Sequence, residues 1–336
     1  MISKNIIFTK VNTSELVGEP VADPAPHQIV VKLACSTVSS GTERANITGS
    51  PNVTINSRDT VAHFPRRSGY SSSGTVYKTG SAVTDLKPGD RVALFWSTHS
   101  QYCVIDAANA VKLPDEVSFS DGALMHIAAF PLAAIRKCRL ETGESALVMG
   151  QGVLGQIAVK LLRAAGAVPV IAVDPLSDKR TEALKIGADY ALDPFDGEFC
   201  RKVKDICGGV NVAIEVTGNG QALDQCLDVM KKMGRVALLG CTRSSDFTID
   251  YYHKVHGPGI SLIGAHTAAR PEKESSPGLW TTHDDMAALI TLIKYGRLDL
   301  KTLVAEVHSP LDAPAVYERL CSSKAFPVVQ FDWTQL

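Results

Sequence analysis

The chain has 336 residues and a mass of 35.9 kDa, more than one hydrophobic core usually organises, so two domains are expected. Hydrophobic residues make up 45% of it and charged residues 21%, which is ordinary for a folded protein. The formal net charge of −1 and the pI near 6.7 give nucleic acid or an anionic membrane no electrostatic attraction. We therefore expect a small molecule as the substrate, and no nucleic acid as a partner.

The N-terminal segment and the cysteines both favour the cytoplasm. Residues 1–15 lack the apolar core and the small-residue cleavage site of a signal peptide, and no apolar run approaches the ~20 residues that span a bilayer. The eight cysteines are scattered without a CxxC pair, which is typical of buried thiols in a reducing compartment. We predict a cytoplasmic protein with no membrane partner.

The first part of the chain has the pattern of an all-β domain. Short β-rich stretches are separated by Gly, Pro, Asp and Ser at residues 27–38, 71–81, 90–95 and 101–113. Stretches of this length and spacing predict an antiparallel, barrel-like unit. We assign residues 1–127 to it.

After that boundary, short apolar strands alternate with amphipathic helices. An apolar strand over residues 145–150 precedes a helix over 155–167, and a later helix is predicted over 221–233. This alternation predicts βαβ units around a parallel sheet. We assign residues 128–264 to this α/β domain and expect residues 265–336 to return to the first domain.

A GxGxxG motif joins the first strand of the α/β domain to its first helix. Its six residues are Gly150, Gln151, Gly152, Val153, Leu154 and Gly155. The first glycine permits a tight turn, the second lets the backbone approach a pyrophosphate, and the third lets the helix pack on the strand. The helix N-terminus adds unpaired N–H groups and a partial positive charge. The motif in this context predicts a dinucleotide site.

Asp174 ends the next strand, about 20 residues beyond the glycines, where an acid binds the ribose hydroxyls and repels a 2′-phosphate. We therefore expect NAD(H) rather than NADP(H) as the cofactor. Lys179 and Arg180 follow closely and leave open the alternative that they bind a 2′-phosphate. We include Asp174 and Lys179 among the candidate cofactor contacts.

The order of these domains resembles the medium-chain dehydrogenase/reductase superfamily, which contains the zinc alcohol dehydrogenases and zinc-free relatives. The resemblance is carried by LKPGDRVALF, LETGESALVMGQGVLGQIAVKLLRAAGA, AVDPLSDKRTEALKIGADYALD, AIEVTG and GRVALLG. It implies a GroES-like β-barrel catalytic domain, a doubly wound Rossmann domain with a parallel sheet, and an NAD-dependent oxidoreductase. It also implies nicotinamide contacts at Val216, Thr217, Gly240 and Cys241.

The zinc ligands of that superfamily have no good counterparts in this sequence. The resemblance places the three catalytic ligand positions at Ser39, Tyr70 and near His126, and the segment that would hold four structural cysteines holds one. Zinc prefers thiolate, imidazole and carboxylate ligands. We therefore expect no metal. A realigned Cys35 together with Glu43 is the alternative that would retain one.

Without zinc, side chains have to neutralise the charge that hydride transfer leaves on the substrate oxygen. Tyr70 is the first candidate, and His126 is the second because an imidazole exchanges a proton near neutral pH. Ser39 and Ser40 are candidates for relaying a proton or binding a substrate hydroxyl, and Glu43 for acting as a base or orienting a neighbour. Each also has a structural interpretation: Tyr70 and His126 as packed residues, the serines as turn formers, and Glu43 as a surface charge.

We predict the interconversion of a secondary alcohol and a ketone, and the polar cluster favours a sugar or polyol. One alternative is an NAD(P)H-dependent reductase of the C=C bond of quinones or enones, against which Asp174 argues. Another is a non-catalytic NAD-binding protein, against which the hydroxyl and imidazole groups at three ligand positions argue. Relatives without the structural-zinc loop are often dimers, so we expect a homodimer paired through the apolar strand at residues 261–266.

Overall fold

The computed structural model describes residues 1–50, 63–243, 245, 247–323 and 325–336, which include all the candidate site residues. The chain divides into two compact units. Unit 1 comprises Met1–Ile127 with Thr282–Leu336, and unit 2 comprises Ala128–Thr281. Within the described ranges, no helix combines the length and the apolar character needed to cross a bilayer.

The strands and α-helices are numbered in chain order. The strands are β1 (Ile2–Lys10), β2 (Thr13–Pro20), β3 (Gln28–Thr37), β4 (Arg66–Arg67), β5 (Ser71–Thr79), β6 (Arg91–Phe95), β7 (Tyr102–Asp106), β8 (Ala110–Lys112), β9 (Ala146–Met149), β10 (Val170–Val173), β11 (Tyr190–Leu192), β12 (Val210–Glu215), β13 (Met230–Leu238), β14 (Ser261–Gly264), β15 (Glu306–His308) and β16 (Val329–Asp332). The helices are α1 (Ser40–Thr48), α2 (Phe119–Gly122), α3 (Met125–Lys137), α4 (Val153–Ala164), α5 (Ser177–Lys185), α6 (Phe199–Cys207), α7 (Gly220–Asp228), α8 (Thr282–Lys294) and α9 (Ala313–Ser322).

Unit 1 is built on a seven-stranded sheet that has β3 near its centre. The order is β15–β16–β3–β5–β6–β8, and β7 also pairs with β3. A smaller sheet has the order β2–β1–β4. Apolar side chains of both sheets and of α9 form the core, including Phe8, Leu33, Tyr317 and Trp333. The β-rich stretches within residues 27–113 correspond to strands β3 and β5–β8, and unit 1 also contains helices α1, α2, α8 and α9.

Buried serines on β5 satisfy their hydroxyls through neighbouring segments. Ser71 Oγ donates to the carbonyl of Ala123 at 2.7 Å, and Ser72 Oγ donates to Ser97 Oγ at 2.7 Å. Ser73 Oγ donates to the carbonyl of Phe119. Each bond offsets the cost of removing a hydroxyl from water. Together they fix the strand that begins directly after Tyr70.

Unit 2 is a six-stranded parallel sheet with helices between its strands. The strand order is β11–β10–β9–β12–β13–β14, the doubly wound order of dinucleotide-binding domains. Apolar side chains from β9, β10, β12 and helices α6 and α7 pack around Ile171 and Val203. The predicted fold class, a GroES-like unit with a parallel Rossmann-type sheet, is confirmed.

The chain returns to unit 1 later than the sequence pattern predicts. Residues 265–281, which we assigned to the return segment, lie in unit 2. The guanidinium of Arg270 donates to the carbonyl of Ala129 at 2.8 Å, and Arg136 lies 3.6 Å from the ring centre of Trp280. These contacts attach the segment to α3. From Thr282 onward the tail belongs to unit 1, where β16 pairs antiparallel with β3.

Two local predictions differ from the structure. The helix predicted over residues 221–233 ends at Asp228, because Met230 already pairs with Val210 in the neighbouring strand. The sequence pattern does not predict helix α1, and Ser40 at its start had the alternative interpretation of a turn former. Its N-terminus is stabilised by the Glu43 carboxylate, which accepts the N–H of Ser39 at 2.7 Å.

Candidate active site

The glycine turn between β9 and α4 has the geometry that a dinucleotide site requires. Gly150 has a φ of +99°, and a Cβ on it would lie 2.7 Å from Thr217 Cγ2. A Cβ on Gly155 would lie 1.9 Å from the carbonyl oxygen of Gly150, so only glycine lets α4 approach the turn. A Cβ on Gly152 would meet no atom within 4 Å. The space beside Gly152 is therefore open for a pyrophosphate.

The N-terminus of α4 is available to an anion. Gly152 is its N-cap residue and has no side chain to cap the first turn, in which Val153 and Leu154 lie. Gln151 is fully buried, with its side-chain amide donating to the carbonyl of Val148 at 3.0 Å. The six motif residues thus form the turn and the first turn of the helix, as predicted.

Asp174 is buried and holds the glycine turn from the end of β10. Its Oδ2 accepts the N–H of Gln151 at 2.8 Å, and its Oδ1 accepts the N–H of Leu176 at 2.9 Å. Each carboxylate oxygen keeps a lone pair for a further donor. Asp174 therefore fixes the glycine turn and can also accept hydrogen bonds from ribose hydroxyls.

The two cations that follow Asp174 are already engaged by acids. Lys179 Nζ is bound to Glu182 Oε2 at 2.8 Å, and Arg180 Nη1 is bound to Asp193 Oδ2 at 3.1 Å and to the Asp174 carbonyl at 2.8 Å. A 2′-phosphate would have to compete with these carboxylates. The alternative that Lys179 and Arg180 recognise NADP(H) therefore loses support.

The residues expected to contact nicotinamide lie in two turns that pack on each other. Val216 and Thr217 follow β12, while Gly240 and Cys241 follow β13, and a Cβ on Gly240 would lie 2.1 Å from the amide nitrogen of Gly218. Glu215, which the sequence reading missed, fixes the first turn by accepting the N–H groups of Thr217 at 2.6 Å and Gly218 at 3.1 Å. Burial raises the pKa of Glu215 despite these bonds.

In unit 1, Tyr70 and Ser39 meet directly. The phenol of Tyr70 donates a hydrogen bond to Ser39 Oγ, and Ser39 is held in turn by Glu43 through its backbone N–H. Burial raises the pKa of Tyr70 to about 12; the hydroxyls of Ser39 and Thr42 oppose the rise, and the Glu43 carboxylate adds to it. The Tyr70 phenol is thus a proton donor at neutral pH. Ser40 begins α1 half-buried, and its hydroxyl joins none of these bonds.

His126 contacts Tyr70 through the backbone and the ring edge. Its Nδ1 donates to the Tyr70 carbonyl at 2.7 Å, and the two rings are perpendicular at 5.4 Å between centres. His126 is fully buried. The imidazole therefore holds the Tyr70 backbone, and a part for His126 in proton transfer stays a prediction.

Trp96 is a residue of this site that sequence reasoning missed. It follows β6, has a φ of +58°, is 50% exposed, and its ring lies 4.6 Å from that of His126 and 6.0 Å from that of Tyr70. A bulky residue in the left-handed region is strained, and strain of this kind occurs at functional sites. The sequence feature that could have indicated Trp96 is a tryptophan directly after the end of a strand. Trp96 gives the site an exposed aromatic face.

Two family models match the chain, one in each half. Residues 25–139 match the alcohol dehydrogenase GroES-like domain, and residues 153–279 match the zinc-binding dehydrogenases. L-threonine 3-dehydrogenase of Thermococcus kodakarensis is 27% identical, over 95% of this chain and 94% of that protein. The chain belongs to the medium-chain, alcohol dehydrogenase-like superfamily of oxidoreductases.

Further relatives agree with this assignment. D-guloside 3-dehydrogenase of Escherichia coli strain K12 is 26% identical, over 73% of this chain and 70% of that protein. The crystal structure of galactitol-1-phosphate dehydrogenase from Escherichia coli has the same fold, with a TM-score of 0.84 at 19% identity over 98% of this chain and 99% of that one.

The residues that the resemblance places at the zinc-ligand positions are poor ligands for a zinc ion. Ser39 and Tyr70 offer neutral hydroxyls bonded to each other, and His126 uses Nδ1 on the backbone. Burial raises the pKa of the Cys35 thiol to about 12, which disfavours the alternative ligand. Across the described segments, no three His, Cys, Asp or Glu side chains lie together as a metal site would need.

Proposed function

We propose that this medium-chain enzyme uses NAD(H) to interconvert a secondary alcohol and a ketone in a sugar or polyol, without catalytic zinc. The observation that supports the proposal most is the Tyr70–Ser39 hydroxyl pair, because the resemblance assigns both residues to zinc-ligand positions. A phenol that donates a hydrogen bond there can stabilise an alkoxide and protonate it.

In the reducing direction, the Tyr70 O–H leaves Ser39 Oγ and donates its proton to the carbonyl oxygen of the ketone, while hydride adds to the carbonyl carbon. The C=O bond becomes a C–OH group, and the tyrosinate regains a proton from water. When bound, NADH supplies the hydride. Alcohol oxidation is the reverse, with proton and hydride leaving the same carbinol.

The cofactor is proposed to bind to unit 2 through the glycine turn at residues 150–155. Open space beside Gly152 and the uncapped N-terminus of α4 favour a pyrophosphate there. Asp174 is proposed to accept the ribose hydroxyls. The engagement of Lys179 by Glu182 and of Arg180 by Asp193 supports NAD(H) over NADP(H).

A polyhydroxylated substrate fits the groups around Tyr70. Sugars present a C–H face that packs on aromatic rings and a hydroxyl rim that needs polar partners. Trp96 offers such a face, and Ser39 and Tyr70 offer hydroxyls. The names of two relatives, D-guloside 3-dehydrogenase and galactitol-1-phosphate dehydrogenase, point to the same substrate class.

A substrate panel tests this proposal. Sugars, glycosides, polyols, simple alcohols and quinones are assayed with NAD(H) and NADP(H), before and after treatment with a chelator. We expect turnover of a polyhydroxylated secondary alcohol with NAD⁺, unaffected by the chelator, and less than about half a zinc per chain. Loss of activity together with one zinc per chain would contradict the zinc-independent mechanism. Turnover of quinones alone would favour C=C reduction.

We also propose that the protein is a homodimer that pairs through β14. This strand is the edge of the unit 2 sheet, and Leu262 on it is 38% exposed. An edge strand offers unpaired N–H and C=O groups to a second copy. Light scattering should report about twice the 35.9 kDa chain mass at micromolar concentration, and a monomer would refute the proposal.

A further inference from the structure

Glu43 is a buried carboxylate on which three segments of unit 1 converge. It is 1% exposed, its Oε1 accepts the N–H of Ser39 at 2.7 Å, and its Oε2 accepts the phenol of Tyr317 and lies 3.2 Å from His99 Nε2. His99 and Tyr317 are themselves buried. The interpretation of Glu43 as a surface charge is therefore excluded.

His99 connects Glu43 to Ser36 and Trp333 through hydrogen bonds. Trp333 Nε1 donates to Ser36 Oγ at 2.8 Å, and Ser36 Oγ lies 2.7 Å from His99 Nδ1. On the other side of the ring, His99 Nε2 donates to the Glu43 carboxylate. Ser36, His99 and Glu43 therefore hold one another in one continuous hydrogen-bond network.

His99 also supports the turn that carries Tyr70. Gly69 has a φ of +82°, and a Cβ on it would lie 2.7 Å from His99 Cγ. The N–H of His99 donates to the carbonyl of Ser68 at 2.8 Å. Glu43 holds Ser39, and its partner His99 holds the turn before Tyr70. Both members of the hydroxyl pair therefore rest on the Glu43–His99 contact.

We propose that Glu43, His99 and Tyr317 form a buried positioning network that fixes the Tyr70–Ser39 bond and places the Glu43 carboxylate beside it. The proposal rests on the proposed function for the role of Tyr70, but the effect of the Glu43 charge on the phenol exists without any substrate.

The groups that face the phenol support this effect. The Glu43 carboxylate and burial raise the pKa of Tyr70, whereas the Ser39 and Thr42 hydroxyls lower it. His126 and Trp96 present rings to Tyr70. Among the described residues, Glu43 thus contributes negative charge near the phenol, and its removal should make the phenol more acidic.

The test follows the ionisation of Tyr70 by fluorine NMR in fluorotyrosine-labelled protein, in which the phenols are more acidic and titrate at lower pH. The Tyr70 signal is assigned by its loss in Tyr70→Phe. We expect Glu43→Gln to lower the titration midpoint by about half a pH unit or more. Asp121→Asn is the matched control, since Asp121 is 3% exposed in the same unit but bonded to Ser118 and Lys301. It should leave the midpoint unchanged.

A second variant separates charge from position and keeps the proposal testable if Glu43→Gln does not fold. Glu43→Asp retains the charge but shortens the reach to Ser39, so the midpoint should stay near the wild-type value while kcat falls about tenfold or more. An unchanged midpoint in Glu43→Gln, or a wild-type kcat in Glu43→Asp, would overturn the proposal. If the proposed function is wrong, Tyr70→Phe should keep full activity. The change of the NMR midpoint in Glu43→Gln would then still be observed.

Discussion

The glycine turn of unit 2 and the hydroxyl pair of unit 1 depend on their residues in opposite ways. The turn works because side chains are missing: a Cβ at Gly155 would collide with the Gly150 carbonyl, whereas the space at Gly152 is open. The hydroxyl pair works because particular side chains are present. Tyr70 and Ser39 are bonded to each other, Glu43 holds the backbone of Ser39, and His126 holds the backbone of Tyr70.

This difference explains what each region reveals in a sequence. Backbone shape depends on neighbours a few residues apart, so glycine spacing indicates the turn directly. The hydroxyl pair joins residues 31 positions apart, and its support comes from a tyrosine 274 positions beyond Glu43. Such partners leave no local pattern.

Replacing Tyr70 is expected to have the largest effect. It tests the role of the side chains in the hydroxyl pair of unit 1. Tyr70→Phe removes the proton donor and should lower kcat about 100-fold or more, close to 2.7 kcal/mol, while NADH affinity stays near wild type. Because the raised pKa keeps the phenol protonated, wild-type ketone reduction that depends on Tyr70 should decline only as the pH rises toward about 12. Steady-state kinetics and cofactor titration measure both.

Tyr77→Phe is the matched control for this variant. Tyr77 loses the same oxygen atom, but it lies on β5 with 52% of its surface exposed, and it should keep wild-type kcat. A near-normal kcat in Tyr70→Phe would show that the tyrosine only packs, and Ser39 would be the next residue to replace.

Two glycine variants test the glycine turn of unit 2, which depends on the shape of the backbone. Gly155→Ala forces a Cβ to 1.9 Å from a carbonyl oxygen and should destabilise unit 2 by about 3 kcal/mol or more, seen as a lower Tm. Gly152→Ala meets no protein atom, so Tm should hold while NADH affinity falls about tenfold or more. Gly197→Ala, also in open space, is the control for both measurements. Unchanged NADH affinity in Gly152→Ala would place the pyrophosphate elsewhere.

The periodic elements of the fold were predictable to within a few residues. The strand predicted over 145–150 is Ala146–Met149, and the helix predicted over 155–167 is Val153–Ala164. Helix α1 was not predictable from periodicity, since SGTERANIT has no apolar stripe and depends on Glu43 at its first turn. The boundary of the return segment depended on Arg270 and Trp280 meeting α3, contacts that only the tertiary structure reveals.

For the candidate site, the sequence indicated residue types better than their partners. Ser39, Glu43, Tyr70 and His126 do lie together, but the contacts differ from those expected: His126 binds the Tyr70 backbone, and Glu43 is buried. No local sequence pattern indicated His99, because its role depends on a contact with Glu43, which lies 56 positions away in the sequence. Resemblance to a family locates positions, whereas local packing decides what a side chain does there.

The smallest expected effect is on the preference for NADH over NADPH. This preference depends on charge rather than on the shape of the backbone. NADH should bind at least about tenfold more tightly than NADPH, because a 2′-phosphate beside the Asp174 carboxylate costs about 1.4 kcal/mol or more. Asp174→Asn keeps an acceptor for the Gln151 N–H, so the turn should persist while the preference narrows to about threefold or less. Asp178→Asn removes an equal charge four residues later on the exposed start of α5 and should leave the preference intact. Calorimetric titration with both cofactors measures the ratio, and equal or tighter NADPH binding by the wild type would mean that Lys179 and Arg180 leave their carboxylate partners for the phosphate.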